Sequence, residues 1–136
     1  MTPQFTANLG ELIGKPFKNG GRGPEAYDCW GLVREIYRRL GVALPEYLVD
    51  CFDIDAIHGI YQKERHGAPW LAADRPRFPD LAVFRFNSPV VNHVGVYLGG
   101  REFIHARQGA NVCIESLEHI YWKRAIESYY RWGGEI

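Results

Sequence analysis

The sequence predicts an α+β fold, with N-terminal helices packed on a central antiparallel sheet of about five strands. Three observations carry that expectation. Apolar residues from Cys29 to Leu40 recur at helical spacing. From residue 81 onward the period changes to two, in five successive segments separated by turn residues. At 136 residues and 46% hydrophobic content, the chain is long enough for one core and too short for two ordinary domains. Residues 1–136 therefore read as a single domain.

In chain order, residues 8–14 suggest a short helix, followed by the glycine-rich stretch "GKPFKNGGRGPEAY". In the next helix Cys29, Val33, Ile36 and Leu40 share one side, while Arg34, Glu35, Arg38 and Arg39 occupy the other. Asp28 suits its N-cap and Gly41 the position after its end. Residues 42–79 show no clear period and read as a variable loop or helical insertion. Within them "DIDAIHGIYQKERHG" allows a helix, and "APWLAADRPRFPD" reads as a proline-punctuated loop. The expected strands are 81–86, 91–98, 101–107, 111–116 and 124–132.

Composition excludes several classes. Sixteen basic residues balance sixteen acidic ones, so nothing points to nucleic acid or an anionic membrane. No apolar run approaches the roughly 20 residues of a membrane helix. The N-terminus "MTPQFTANLGELIGKPF" lacks a basic region followed by an apolar one, so the expectation is synthesis in a cytoplasm without a signal peptide. Three widely spaced cysteines do not form a disulfide framework.

Chemistry concentrates around Cys29. In the first turn of a helix it meets partial positive charge and free backbone N–H groups, which favour thiolate and lower the expected pKa. The same N–H groups could bind the oxyanion of an acyl-transfer intermediate. A thiolate nucleophile needs a base, and the base an orienting group. The strand region offers His93 and His105 on either side of Gly99 and Gly100. A strict two-residue hairpin would send these histidines to opposite faces. A three-residue loop, or an equivalent bulge, would set Tyr97 opposite Arg101 and His93 opposite His105, within hydrogen-bonding reach.

These residues carry a resemblance. "YDCWGLVREIYRRLG", "FPDLAVFRF" and "NHVGVYLGGREFIHA" resemble, in order and spacing, the motifs of NlpC-type cell-wall cysteine peptidases. The resemblance implies a trimmed papain-like fold, with Cys29 as nucleophile, His93 as base and His105 as the group orienting it. It also implies a peptidoglycan stem peptide as substrate, cut between γ-D-glutamate and the following diamino acid, and no cofactor. "DCWGLV", "GRGPEAYD" and "LPEY" are closer to the family's phage-tail branch, which implies tail-tip proteins as partners and a virion tail acting at the cell wall. Trp30 stands where the family usually has serine. Phe17 stands where it usually has a tyrosine whose hydroxyl reaches the site; Tyr27 is a candidate replacement. Asp28, Trp30, Tyr27 and Phe17 are thus the candidate substrate- or oxyanion-contacting positions.

Competing chemistries have less behind them. Cys29, His93 and His105 are legitimate zinc ligands, but the chain has no C-x-x-C or H-x-x-x-H pair, so no metal is expected. Ser88, Ser116 and Ser128 lie outside any nucleophile elbow, and "NGGRG" lacks the spacing of a phosphate loop. His58, His66 and His119 read as surface or loop residues. The competitor from another class is a structural tail-tip protein that keeps the fold and hydrolyses nothing; a toxin of the same chemistry is a third reading.

Overall fold

Asp28 opens the helix that organises the molecule. The computed structural model describes residues 7–67 and 69–133. Helix α1, Cys29–Arg39, begins where the Asp28 carboxylate accepts the Gly31 N–H at 2.7 Å, satisfying one of the donors a helix start leaves free. Leu32, Val33, Ile36 and Tyr37 are buried, while Glu35 pairs with Arg38 and Arg39 on the outer side. The short helix expected at 8–14 is a single 3-10 turn, Leu9–Leu12. Its two buried leucines are three residues apart, which is the spacing that a three-residue turn puts on one side.

Helix α2, Ile54–Glu64, is capped by Asp53 and fills the segment where the sequence allowed one. Helix α3, Ile120–Ala125, was not expected. It takes the first two residues of the strand placed at 124–132, because Trp122 and Ala125 turn inward at helical spacing.

Among the described residues the sheet has six antiparallel strands, where about five were expected. They are β1 Trp70–Ala72, β2 Leu81–Phe84, β3 His93–Gly99, β4 Glu102–Arg107, β5 Asn111–Ser116 and β6 Ile126–Trp132, in the order β1-β6-β2-β3-β4-β5. The unexpected strand, β1, lies in the proline-punctuated segment and pairs only with β6, Trp70 opposite Trp132. Three residues are too few to display an alternation. β2 stops two residues short of the expected 86, and β3 starts at His93 rather than 91.

Each sheet face has its own core. On one face Val96, Ile104 and Ala106 pack with Leu32, Val33 and Ile36 of α1. On the other, Phe84, Tyr97 and Phe103 pack with Leu117 and Trp122, and α3 is the cover. At the start of β2, buried Asp80 accepts from two Arg131 nitrogens, at 3.0 and 2.8 Å, and from the Arg77 N–H at 2.9 Å. That carboxylate ties β2 to β6.

Candidate active site

The start of α1 is pressed onto a loop. A Cβ on Gly31 would lie 2.0 Å from the Gly21 carbonyl oxygen, so only glycine permits the contact. Asp28 fastens the same loop. Its two oxygens accept from Gly31 N–H, from Gly20 N–H at 3.1 Å and from the Arg22 guanidinium at 2.7 Å. Arg22 in turn pairs with Glu46. Asp28 borders the cleft, but its carboxylate is occupied by these contacts.

Cys29 and His93 line one cleft of about 130 Å³. Its walls are mainly apolar and aromatic, including Trp30, Tyr47, Tyr61, Trp70 and Val83. Cys29 is half-buried as a residue. Enough protein packs round its sulfur that burial pushes the thiol up to about 12, and the nearby Asp28 carboxylate adds to the rise. The N–H groups of Val94 and Trp30 act the other way, favouring the charged sulfur. The lowered thiol pKa expected from the helix start is therefore overturned: desolvation outweighs the helix N-terminus. The resting sulfur is a thiol.

The two histidines share a face, but not in the register expected. Val96 pairs with Ile104 and Tyr97 with Phe103, and a bulge at Leu98 precedes the Gly99–Glu102 pair. The turn is Gly100-Arg101, with φ values of 59° and 61°. Extending the ladder sets Gly95, not His93, opposite His105. The histidines are thus diagonal neighbours, a two-residue offset that leaves the face unchanged. His93 Nε2 and His105 Nδ1 are 2.7 Å apart. Gly95 makes room for this, because a Cβ there would lie 2.8 Å from the Ile104 carbonyl and 3.1 Å from the His105 Cβ.

Both imidazoles sit in an aromatic enclosure of Phe84, Phe86, Phe103 and Trp122. Burial keeps them neutral: it lowers His93 well below the ordinary 6.5 and brings His105 down to about 3. Arg107 works in the same direction on both. The second His105 nitrogen, Nε2, bonds the Glu115 carboxylate. Arg107 approaches the same oxygen at 3.3 Å, and the Cys113 thiol at 3.8 Å. Among the described residues, His105, Cys113 and Glu115 form the group that could hold a metal ion, their ligand atoms within 4.8 Å of one another. It differs from the set the sequence offered, sharing His105 alone. With a thiol and an imidazole lining one cleft and another nitrogen of that imidazole hydrogen-bonded, the arrangement suits proton transfer from sulfur during attack on a carbonyl carbon.

The four flanking candidates divide. Trp30 lines the cleft, its Nε1–H bonded to the Pro45 carbonyl at 3.0 Å and its ring 5.1 Å from that of Tyr47. Tyr27 does not. It is buried against Gly23 and lines a second cavity with Leu12, Arg38 and Arg39. Phe17 bridges to Tyr27 through its backbone and packs near Phe52. Tyr47, Tyr61 and Tyr130 also line the cleft. Sequence reasoning missed these three and Glu115. Glu115 was legible in principle, since it lies two residues beyond Cys113 on the same side of the expected strand 111–116.

A family model described as NlpC/P60 matches residues 14–131. A probable endopeptidase NlpC homolog of Haemophilus influenzae is 30% identical over 115 residues, covering 84% of this chain and 54% of that protein. The murein DD-endopeptidase MepS/murein LD-carboxypeptidase of Escherichia coli is 30% identical over 112 residues, covering 82% and 52%. The chain thus spans about half the length of these curated relatives. In fold it is similar to an NlpC/P60 family protein from Bacillus cereus, with a TM-score of 0.71 at 23% identity, over 98% of this chain and 41% of that one. With the cysteine at a helix start, the histidine pair on the sheet and the match across 14–131, the chain belongs to the NlpC/P60 family.

Proposed function

We propose that the chain is a single cysteine endopeptidase domain acting on peptidoglycan stem peptides, with Cys29 as nucleophile, His93 as base and His105 as the group orienting it. The observation that carries this reading is one connected set. Cys29 shares a cleft with His93, and the far nitrogen of His93 is held by His105 at 2.7 Å. The names of the relatives, a probable endopeptidase and a murein DD-endopeptidase, support the substrate class.

In this mechanism a substrate carbonyl enters the cleft over Cys29. The thiol proton passes to His93 as sulfur attacks, which avoids a free thiolate in a site where burial disfavours one. The Trp30 N–H at the helix start is a donor for the oxyanion. The imidazolium then protonates the leaving amine, and neutral His93 activates water to release the acyl group.

The bond proposed is that between γ-D-glutamate and the diamino acid, and the setting a phage tail, with tail-tip proteins as neighbours and the cell wall as the place of action. Trp30 after the cysteine and the "LPEY" segment following α1 support the tail setting. Digestion of purified peptidoglycan by the wild type and Cys29→Ala, with muropeptides weighed by mass spectrometry, tests the reading. Products ending in γ-D-glutamate from the wild type alone are expected. Products from both proteins would remove Cys29 as nucleophile. One observation favours a second reading, a structural tail component: Phe17 and Tyr27 bring no hydroxyl to the cleft. Absence of any wild-type product would favour it.

A further inference from the structure

We propose that Glu115 is a positioning residue that fixes which nitrogen of His93 acts as the base, through His105. The inference deepens the peptidase reading and rests on it for its activity readout only.

The chain of bonds has one consistent proton order. The Glu115 carboxylate, paired with the Arg107 guanidinium, accepts hydrogen bonds, so His105 presents Nε2–H to it. His105 is fully buried, and with its proton on Nε2 it turns the lone pair of Nδ1 toward His93. That lone pair accepts from His93, whose proton must then sit on Nε2. Neutral His93 is left with its free lone pair on Nδ1, available to the thiol. The reverse order, with His105 donating from Nδ1, would put the His93 proton on Nδ1 and leave no acceptor for Cys29. It would also set two lone pairs, the carboxylate's and that of Nε2, against each other. One carboxylate two imidazoles away thus selects the reactive tautomer, as the aspartate of a serine-protease triad does for one imidazole.

Glu115 is itself held in place. On β4 and β5 Phe103 pairs with Glu115 and His105 with Cys113, so Glu115 sits diagonally from His105 on the shared face. Arg107 Nε is 3.3 Å from its carboxylate, and the guanidinium lies 5.8 and 5.9 Å from the Phe86 and Trp122 rings. The groups facing the histidine pair are Glu115 and Cys113 from β5 and Arg107 from β4, with uncharged Trp122 from α3. Glu115 and Arg107 act on His93 with opposite signs, the first raising and the second lowering its affinity for a proton. When His93 takes the thiol proton, the Glu115 charge stabilises the imidazolium without receiving a proton.

Two measurements test this. Two-bond ¹H–¹⁵N spectra of the imidazoles at neutral pH read the tautomers without any substrate. The wild type should show both histidines as Nε2–H, and Glu115→Ala should give a mixture at His93. A wild-type His93 carrying its proton on Nδ1, or tautomers unmoved in Glu115→Ala, would overturn the proposal. On peptidoglycan fragments, Glu115→Ala should lose at least about tenfold in kcat with KM little changed, and Glu115→Gln, whose amide oxygen can still accept, should recover part of it. The acid limb of kcat/KM should shift to lower pH in Glu115→Ala and to higher pH in Arg107→Ala. Shifts of one sign in both variants would mean that the pair is only structural. A wild type with the expected tautomers and no product would sink the peptidase reading and leave the role of Glu115 standing.

Discussion

His93 and His105 lie 2.7 Å apart through Nε2 and Nδ1 although neither faces the other across the β3–β4 ladder. The contact runs along the diagonal of the sheet, and Gly95, directly opposite His105, leaves the space it crosses. The pair therefore depends on an unoccupied position as much as on the two rings.

Filling that position tests the dependence. Gly95→Ala sets a methyl group against the Ile104 carbonyl and the His105 Cβ. It should destabilise the fold by about 1–3 kcal/mol in urea titration and reduce peptidoglycan hydrolysis by more than the lost folded fraction explains. Unchanged activity would mean that the diagonal geometry tolerates displacement.

His105 can be replaced with its hydrogen bond kept or removed. His105→Asn retains a polar group near His93, whereas His105→Ala leaves Nε2 of a buried imidazole without its partner, which costs about 1–3 kcal/mol. Activity should fall in the order wild type, Asn, Ala. Equal losses in both variants would argue against an orienting role.

Asp28 has two effects of opposite direction. Its carboxylate anchors Arg22 and caps α1, yet its charge raises the Cys29 thiol. Asp28→Asn should lower stability by about 1.5–3 kcal/mol, since bonds to a charged group are lost. It should also move the pH profile of iodoacetamide labelling at Cys29 toward neutrality. In the wild type that profile should climb on the alkaline side of the ordinary thiol value of about 8.5. A midpoint below it would overturn the neutral-thiol resting state.

Acid should weaken the fold through the histidines first. Both have folded pKa values below the unfolded value of about 6.5. In that window the unfolded chain binds more protons, so stability rises with pH and is lost on acidification. Thermal scans should show Tm falling between pH 6.5 and 5, above the range where Glu35 and Glu46, with their lowered values, contribute. His105→Asn should flatten that slope.

Much of this was readable in the residues. Asp28, the spacing of Val33 and Ile36 and the "GG" turn declared α1 and the β3–β4 hairpin, because each is local and periodic. The register was not, since a bulge at Leu98 changes the pairing and leaves no mark in composition. The thiol's upward shift was also hidden. It arises from burial of the sulfur in the folded chain, whereas the helix-start effect that suggested the opposite is local. β1 is three residues long and owes its existence to β6, sixty residues on. Tyr27 looked like a hydroxyl donor by proximity in the chain, and its burial under Gly23 is a tertiary fact.

Helix α2 contributes Ile57, Ile60, Tyr61 and Glu64 to the wall of the cleft, yet none of its eleven residues is buried. Its free energy of detachment is therefore small beside that of α1, whose inner side is fully covered. The width available to an incoming chain is then set by thermal excursions of one helix, and the rigid half carrying sulfur and imidazoles need not move. Amide exchange fast in Ile54–Glu64 and slow in Cys29–Arg39 would be the signature of such a divided molecule.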